Sequence, residues 1–205
     1  MLSGIDVSRH NRNMKDINKI NDFDFVIMKA SEGATYRDSS LQYYNYAIEP
    51  EKTLKGFYHF ARPDNGNSAK SEASNFVTSI LKYDGKTALL ALDLEGKALN
   101  VPCLDLWALE FAKYVYNATG KKILIYCSEA EVYRFKKCAE FGCGLWVAKW
   151  SAFKPTKKKI KPFEVFAIWQ NTNNMTFSGV KVDHDYFNGT VEQYLRYCEA
   201  SYETI

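Results

Sequence analysis

The sequence predicts an α/β fold, an irregular and incompletely wrapped (β/α) barrel of eight strands with about five or six helices. Three observations predict it. Short apolar, β-branched runs alternate with helical patterns, as βα units around a parallel sheet do. These runs number eight, as a closed barrel requires. The chain is also long enough, at 205 residues, to bury roughly 70% of the surface its unfolded form exposes without disulfide or metal staples.

The first two runs are 4–8 and 25–30. Leu41, Tyr44 and Ile48 then mark a helix that ends before Pro50, because the residue preceding a proline is disfavoured in the α region. The third run is 55–60. Ala73, Phe76, Val77, Ile80 and Leu81 follow as one apolar stripe at helical spacing. After the fourth run, 88–95, Trp107, Phe111, Tyr114, Val115 and Ala118 repeat the stripe, and Gly120 supplies a stop. The fifth run is 122–127. Ser128 with Glu131 has the spacing of a capping box that would open the next helix. The sixth run is 144–149. Residues 150–164, with Pro155, Pro162 and Lys157-Lys158-Lys159, carry no helical stripe. The last two runs, 165–170 and 180–183, are too closely spaced by too polar a segment for a full helix between them. Thr190 with Gln193 is a second capping box, opening the final helix. No internal repeat or linker interrupts the chain, so one domain over 1–205 is expected, without a separate module.

Composition narrows the function classes. Hydrophobic residues at 46% and charged residues at 25% exclude disorder and fibrous polymers. No stretch approaches the ~18 apolar residues of a membrane span, so no membrane insertion is expected. A net charge of +3 gives no electrostatic footprint for nucleic acid. The lysine cluster around 157–161 reads as a solvated loop, with a weak attraction to anionic polymers as its functional alternative. The aromatic content of 15%, with 14 Tyr and 13 Phe, suits a surface that meets sugars, peptides or bases. Cys103, Cys127, Cys138, Cys143 and Cys198 are odd in number and lack paired CxxC spacing. They read as buried thiols of a reducing compartment rather than as a zinc site. The first residues show neither a basic nor an apolar leader region, so no signal peptide is expected and synthesis in the cytoplasm is.

The fourth run, Ala88-Leu-Leu-Ala-Leu-Asp93-Leu-Glu95, carries the chemistry. Strand side chains alternate, so Asp93 and Glu95 share a face with Leu89 and Ala91, while Leu90, Leu92 and Leu94 face the covering helices. Two acids about 6.6 Å apart along a strand, at the end where barrel enzymes place catalysis, have proton affinities pushed apart by burial and mutual repulsion. The other strand ends bring further polar and aromatic groups to the same rim. They are Asp6, Lys29 with Glu32 just beyond it, Tyr58 to Arg62 with Phe60 between, Tyr126, Lys149 and Trp150, Gln170, and Asp183 with Asp185. Acids among aromatics suit a carbohydrate-cleaving cleft, since aromatic faces stack on sugar C–H surfaces and carboxyls serve glycosidic-bond chemistry.

The motifs GIDVS at 4–8, VIMKASEG at 26–33, GFYHFARP at 56–63, LDLEG at 92–96, LWVAKW at 145–150, IWQ at 168–170 and VDHDYFNG at 182–189 are similar to those of glycoside hydrolase family 25, the N-acetylmuramidase lysozymes of bacteria and their phages. The resemblance runs from Gly4 to Gly189. It implies a flattened barrel and hydrolysis of the β-1,4 bond between N-acetylmuramic acid and N-acetylglucosamine in peptidoglycan. By resemblance Glu95 is the general acid/base and Asp93 orients the substrate's 2-acetamido group, while Asp6 and Asp183 shape the field. Lys29, Glu32, Tyr58, Phe60, Arg62, Tyr126, Trp150, Gln170 and Asp185 are the expected substrate-binding residues. The division of roles between Asp183 and Asp185 is open. The resemblance implies no cofactor, peptidoglycan glycan strands as partner, a monomer, and action on the bacterial wall after release or secretion.

Two other readings compete. A metal-dependent hydrolase would use His10, His59 and His184 near the rim acids, but no HxH or HExxH spacing occurs. A non-catalytic sugar-binding barrel would be favoured by loss of Asp93 or Glu95, and both are present.

Overall fold

The structure, a computed structural model, describes residues 1–83 and 88–200; residues 84–87 and 201–205 of the expected 1–205 domain lie outside the described residues. Nine strands form one sheet: β1 (Leu2–Val7), β2 (Phe25–Glu32), β3 (Tyr36–Arg37), β4 (Leu54–Phe60), β5 (Ala88–Asp93), β6 (Leu124–Ser128), β7 (Gly144–Ala148), β8 (Ile168–Phe177) and β9 (Val180–Phe187). Their order is β1-β9-β8-β7-β6-β5-β4-β2-β3, and β1 also pairs with β2. That pairing closes eight strands into a barrel, leaving the two-residue β3 outside the ring against β2. Among the described residues five α-helices accompany it: α1 (Leu41–Ala47), α2 (Ala69–Ile80), α3 (Leu104–Thr119), α4 (Lys136–Glu140) and α5 (Val191–Cys198).

Strand alternation sorts the core into two layers. Leu90 and Leu92 of β5 and Phe57 of β4 point outward and are buried with Phe76 of α2 and Phe111 of α3. Burying each such side chain contributes about 1.5–3 kcal/mol, which is what holds α2 and α3 on the barrel wall. Phe25, Ile27, Leu89, Ala91, Leu124, Trp146 and Phe187 point inward and fill the barrel. Tyr194 of α5 packs on Phe25, at the start of β2, and on Phe187, at the end of β9, with ring centroids 5.5 and 5.1 Å away. α5 thus closes the end of the barrel opposite the rim that carries the cleft.

The helical stripes at 73–81 and 107–118 are α2 and α3, and Gly120 ends α3 in a left-handed conformation with φ +72°. The Thr190–Gln193 capping box forms at the start of α5. The expected box at Ser128 does not. Ser128 closes β6 and its carbonyl takes the Glu131 N–H in a turn, while the Glu131 carboxylate pairs with Arg134 at 2.9 Å. Cys103 is exposed, unlike the other four cysteines.

The larger correction concerns the last two strands. They extend to 168–177 and 180–187 and form an antiparallel hairpin turning through Ser178 and Gly179, whose φ values are +45° and +85°. β9 is therefore antiparallel to β1 as well, in a barrel expected to be wholly parallel. The far half of the hairpin is solvated on one face only: Met175, Phe177 and Val180 pack against the core and Val182 is buried, while Asn173, Asn174, Thr176 and Lys181 are exposed, so it lacks the continuous apolar run of a strand buried on both faces.

Candidate active site

The parallel strands end on one rim around a cleft of about 640 Å³. β5 contributes the central pair. Asp93, the last residue of β5, is buried, whereas Glu95 has left the sheet and stands exposed as the cap of a short 3₁₀ turn over Gly96–Asn100. Gly96 adopts φ +58°, a conformation that costs a side chain, and this turns the chain away immediately after Glu95. Burial, then the Glu95 charge, raises the Asp93 carboxyl well above the usual range, and Lys29 opposes the rise. The Glu95 carboxyl is also raised, by its desolvated surroundings in the cleft and then by Asp183, again against Lys29.

A second acidic group lies across the cleft where β1 meets β9. Asp6 pairs in register with Asp183. Burial and the charges of Asp183 and Asp185 push Asp6 well up, while a hydrogen bond from Gln170 pulls the other way. Desolvation likewise raises Asp183. Gln170 is held from three sides. Its Nε2 donates to Asp6 Oδ2 at 2.9 Å, and its Oε1 accepts from Tyr126 Oη and from Trp150 Nε1, each at 3.0 Å. That pattern fixes the orientation of the amide and ties the rims of β6, β7 and β1 together. Trp150 remains 61% exposed, with its ring available at the cleft edge.

The third group rests on a local irregularity. Residues three apart on a regular strand face opposite ways, yet Lys29 and Glu32 both line the cleft. The β2–β4 register shifts between Lys29 and Ser31, and the extra residue of such a bulge re-aims the side chains beyond it. Lys29 Nζ bonds Glu32 Oε2 at 2.7 Å and lies 4.5 Å from the centre of the Phe60 ring. Arg62 donates to Glu32 at 2.9 Å and to both oxygens of Asp64 at 3.2 Å. Partial burial would raise Glu32, but Lys29 and then Arg62 outweigh it and its carboxyl is lowered.

The cleft therefore gathers Asp6, Lys29, Glu32, Tyr58, Phe60 and Arg62, together with Asp93, Glu95, Tyr126, Trp150, Gln170 and Asp183. Asp185, expected on the same wall, is not there. Because β9 runs antiparallel, the residues after Asp183 descend into the barrel. Asp185 sits opposite Gly4, fully buried, and accepts from Trp146 Nε1 at 2.8 Å. Burial raises its carboxyl to about 8, against the Trp146 hydrogen bond.

The cleft also holds residues that sequence reasoning missed. Trp146 is one, legible in hindsight because it shares the inward parity of Trp150. Ser8, which ends the GIDVS motif, and Arg9, His10 and Asn11 follow β1 in a turn, and Asn173 and Lys181 come from the hairpin; no motif marks Arg9, Asn11, Asn173 or Lys181. The three histidines do not converge. His10 lines the cleft, His59 is buried outside the barrel, and His184 bonds Ser3 at 2.9 Å and Asn171 at 2.7 Å. Among the described residues no group of three or more His, Cys, Asp or Glu is placed to hold a metal ion.

Comparison with known proteins gives the family. The chain matches the model of glycosyl hydrolases family 25 over residues 5–180. It belongs to glycosyl hydrolase family 25. It is thus a glycoside hydrolase, and the family match spans Asp6, Lys29, Asp93, Glu95 and Gln170, stopping at the first residue of β9. The chain is 29% identical to an N,O-diacetylmuramidase of Arthroderma benhamiae, over 85% of this chain and 77% of that protein. It is 28% identical to Lysozyme M1 of Streptomyces globisporus, over 83% of this chain and 62% of that protein. Among solved structures, a family 25 lysozyme from Aspergillus fumigatus superposes with a TM-score of 0.74 at 26% identity, covering 97% of this chain and 99% of that one. A bacterial lysozyme from Streptomyces coelicolor shares the fold, with a TM-score of 0.77 at 23% identity over 96% of each chain. As in that family 25 fold, the barrel is eight-stranded, flattened and incompletely wrapped by helices. Among the described residues no helix is long and apolar enough to cross a membrane.

Proposed function

We propose that this enzyme cleaves the β-1,4 bond between N-acetylmuramic acid and N-acetylglucosamine in peptidoglycan, with Glu95 as general acid/base and Asp93 serving the sugar's 2-acetamido group. One observation carries the reading. A single strand end presents a buried carboxyl and, two residues on, an exposed one, both with raised proton affinity. The names of the relatives, a muramidase and a lysozyme, support the choice of substrate.

Glu95 keeps its proton at pH values where an ordinary glutamate has lost it, and it reaches open solvent in the cleft, so it can protonate the departing glycosidic oxygen. Asp93 lies one pleat deeper. There it orients the acetamido group so that the carbonyl oxygen of that group attacks the anomeric carbon as the glycosidic bond breaks. The Glu95 carboxylate left behind then takes a proton from the water that opens the cyclic intermediate, which restores the acid. Asp6 and Asp183 supply negative field to the oxocarbenium-like transition state. The exposed ring of Trp150 is a stacking face for a sugar, while Phe60, Tyr58 and Tyr126 line the cleft around it. All these groups come from one chain, so the monomer suffices. Digested peptidoglycan should show muramic acid at its new reducing ends by mass analysis. New reducing ends of glucosamine alone, or cut peptides alone, would refute the assignment.

A further inference from the structure

Outside the barrel, under α2, three fully buried polar side chains form a chain that the reaction does not touch. Ser31 Oγ lies 2.8 Å from His59 Nδ1, and His59 Nε2 lies 2.9 Å from Glu72 Oε2. Glu72 also accepts the Arg62 backbone N–H, at 3.0 and 3.2 Å to its two oxygens, and the Asn67 amide at 2.9 Å. With these donors converging on it, Glu72 acts as the acceptor at this end of the chain. His59 then donates through Nε2 and accepts the Ser31 hydroxyl at Nδ1, in the neutral form that its burial favours. His59 is packed 5.8 Å from the Phe76 ring and 5.1 Å from the Phe111 ring, so the chain has no room to shift.

Its ends are the backbone on either side of the cleft's cationic group. Ser31 belongs to the bulge that brings Lys29 and Glu32 to one face, and Arg62 carries the guanidinium bonded to Glu32. We propose that Glu72 is a positioning residue which, through His59–Ser31 and the Arg62 backbone, holds the Lys29–Glu32–Arg62 frame beside Asp93 and Glu95. This rests on the acid role of Glu95 proposed above. The charged and titratable groups that line the cleft with Glu95 are Asp93 at the end of β5, Lys29 and Glu32 of β2, Tyr58 of β4 with Arg62 and Asp64 after it, Tyr126 of β6, Asp6 of β1 with Arg9 and His10 after it, Lys181 and Asp183 of β9, and Lys97 in the following turn. Lys29 is the cation that holds the proton affinity of Glu95 down. A loosened frame lets it rise.

Glu72→Gln keeps the shape. The amide oxygen still accepts from Arg62 and Asn67, and its NH₂ meets a His59 that has moved its proton to Nδ1. Two readouts test the variant: ¹³C NMR titration of the Glu95 carboxyl, and the alkaline limb of kcat/KM on a soluble glycan. Both should move upward by roughly 0.5–1 pH unit. Lys29→Met should move them in the same direction, and the double variant no further than Lys29→Met alone. Ser31→Ala, a milder change, should give a smaller shift of the same sign and carries the test if Glu72→Gln does not fold. An unmoved Glu95 titration with only a lowered Tm, or shifts that add in the double variant, overturns the proposal. Because the NMR titration needs no turnover, an inactive wild type would refute the hydrolase mechanism without touching this result.

Discussion

Asp93, Glu95 and Asp185 are three carboxyls in three settings, and each setting predicts a different response to substitution. Glu95→Gln removes the proton donor from an exposed site, so it should slow cleavage by about 10²–10⁴-fold while leaving Tm unchanged. The loss should shrink on a substrate whose leaving group needs no proton. Asp93→Asn should also be slow, but an activated leaving group should not rescue it, because the lost function serves the sugar ring. Rates on aryl glycosides of differing leaving-group acidity check both, and the opposite pattern of rescue would reverse the two roles. Asp185 reports on stability instead. Its carboxyl sits at about 8 in the fold against an ordinary 3.8, so the folded protein holds that proton more tightly than the unfolded chain. The stabilisation is complete below about pH 4 and is lost as pH rises toward 8. Asp185→Asn keeps the acceptor for Trp146 and carries a permanent N–H in place of the titrating proton. Its Tm relative to wild type should therefore rise from pH 5 to about pH 8 and level off above it; a constant difference from pH 5 to pH 8 would contradict the assignment.

At the scale of elements, β1 shows how tightly the inner layer fits. A Cβ on Gly4 would come within 2.5–2.6 Å of the Phe25 ring. Gly4→Ala should then cost about 1–3 kcal/mol as the interior repacks, read as a lower urea midpoint at unchanged m-value. β5 was legible in the sequence because each of its positions has one plausible face. The leucines at 90, 92 and 94 demand an apolar partner while the acids at 93 and 95, on the other parity, suit the polar mouth, so period two along β5 and the two residues after it places the site. Strand direction has no such marker. Asp185 was read as a wall residue because a parallel last strand would climb out of the mouth after Asp183, whereas the antiparallel β9 carries it downward. The bulge at Lys29–Ser31 is equally silent, since one extra residue changes which face Glu32 takes without changing which residues are present. The outer half of the hairpin alternates Met175, Phe177, Val180 and Val182 with solvated residues, a weaker mark than the continuous apolar runs of the parallel strands, and Asn173 and Lys181 on its polar side carry no mark at all. Ser128 and Glu131 had the right spacing for a cap, but their backbone is committed to ending β6.

For the molecule as a whole, two of the cleft's acids are held by an amide and by cations. Gln170 bonds Asp6, and Lys29 and Arg62 bond Glu32, so a chelator should leave the rate of wall clearing unchanged; a loss restored by added zinc would favour a metal-dependent mechanism. The closing seam of the barrel has a consequence of a different kind. β1 can pair with β2 from within the first thirty-odd residues, but its other edge waits for β9, where Leu2 meets Phe187 and Asp6 meets Asp183. Contacts so distant along the chain form late, because the loop between them must be ordered first. During synthesis Glu95 thus emerges from the ribosome long before the wall opposite it exists. The growing polypeptide carries its acid unarmed, and competence arrives in one late step when residues 180–187 slot into the open seam.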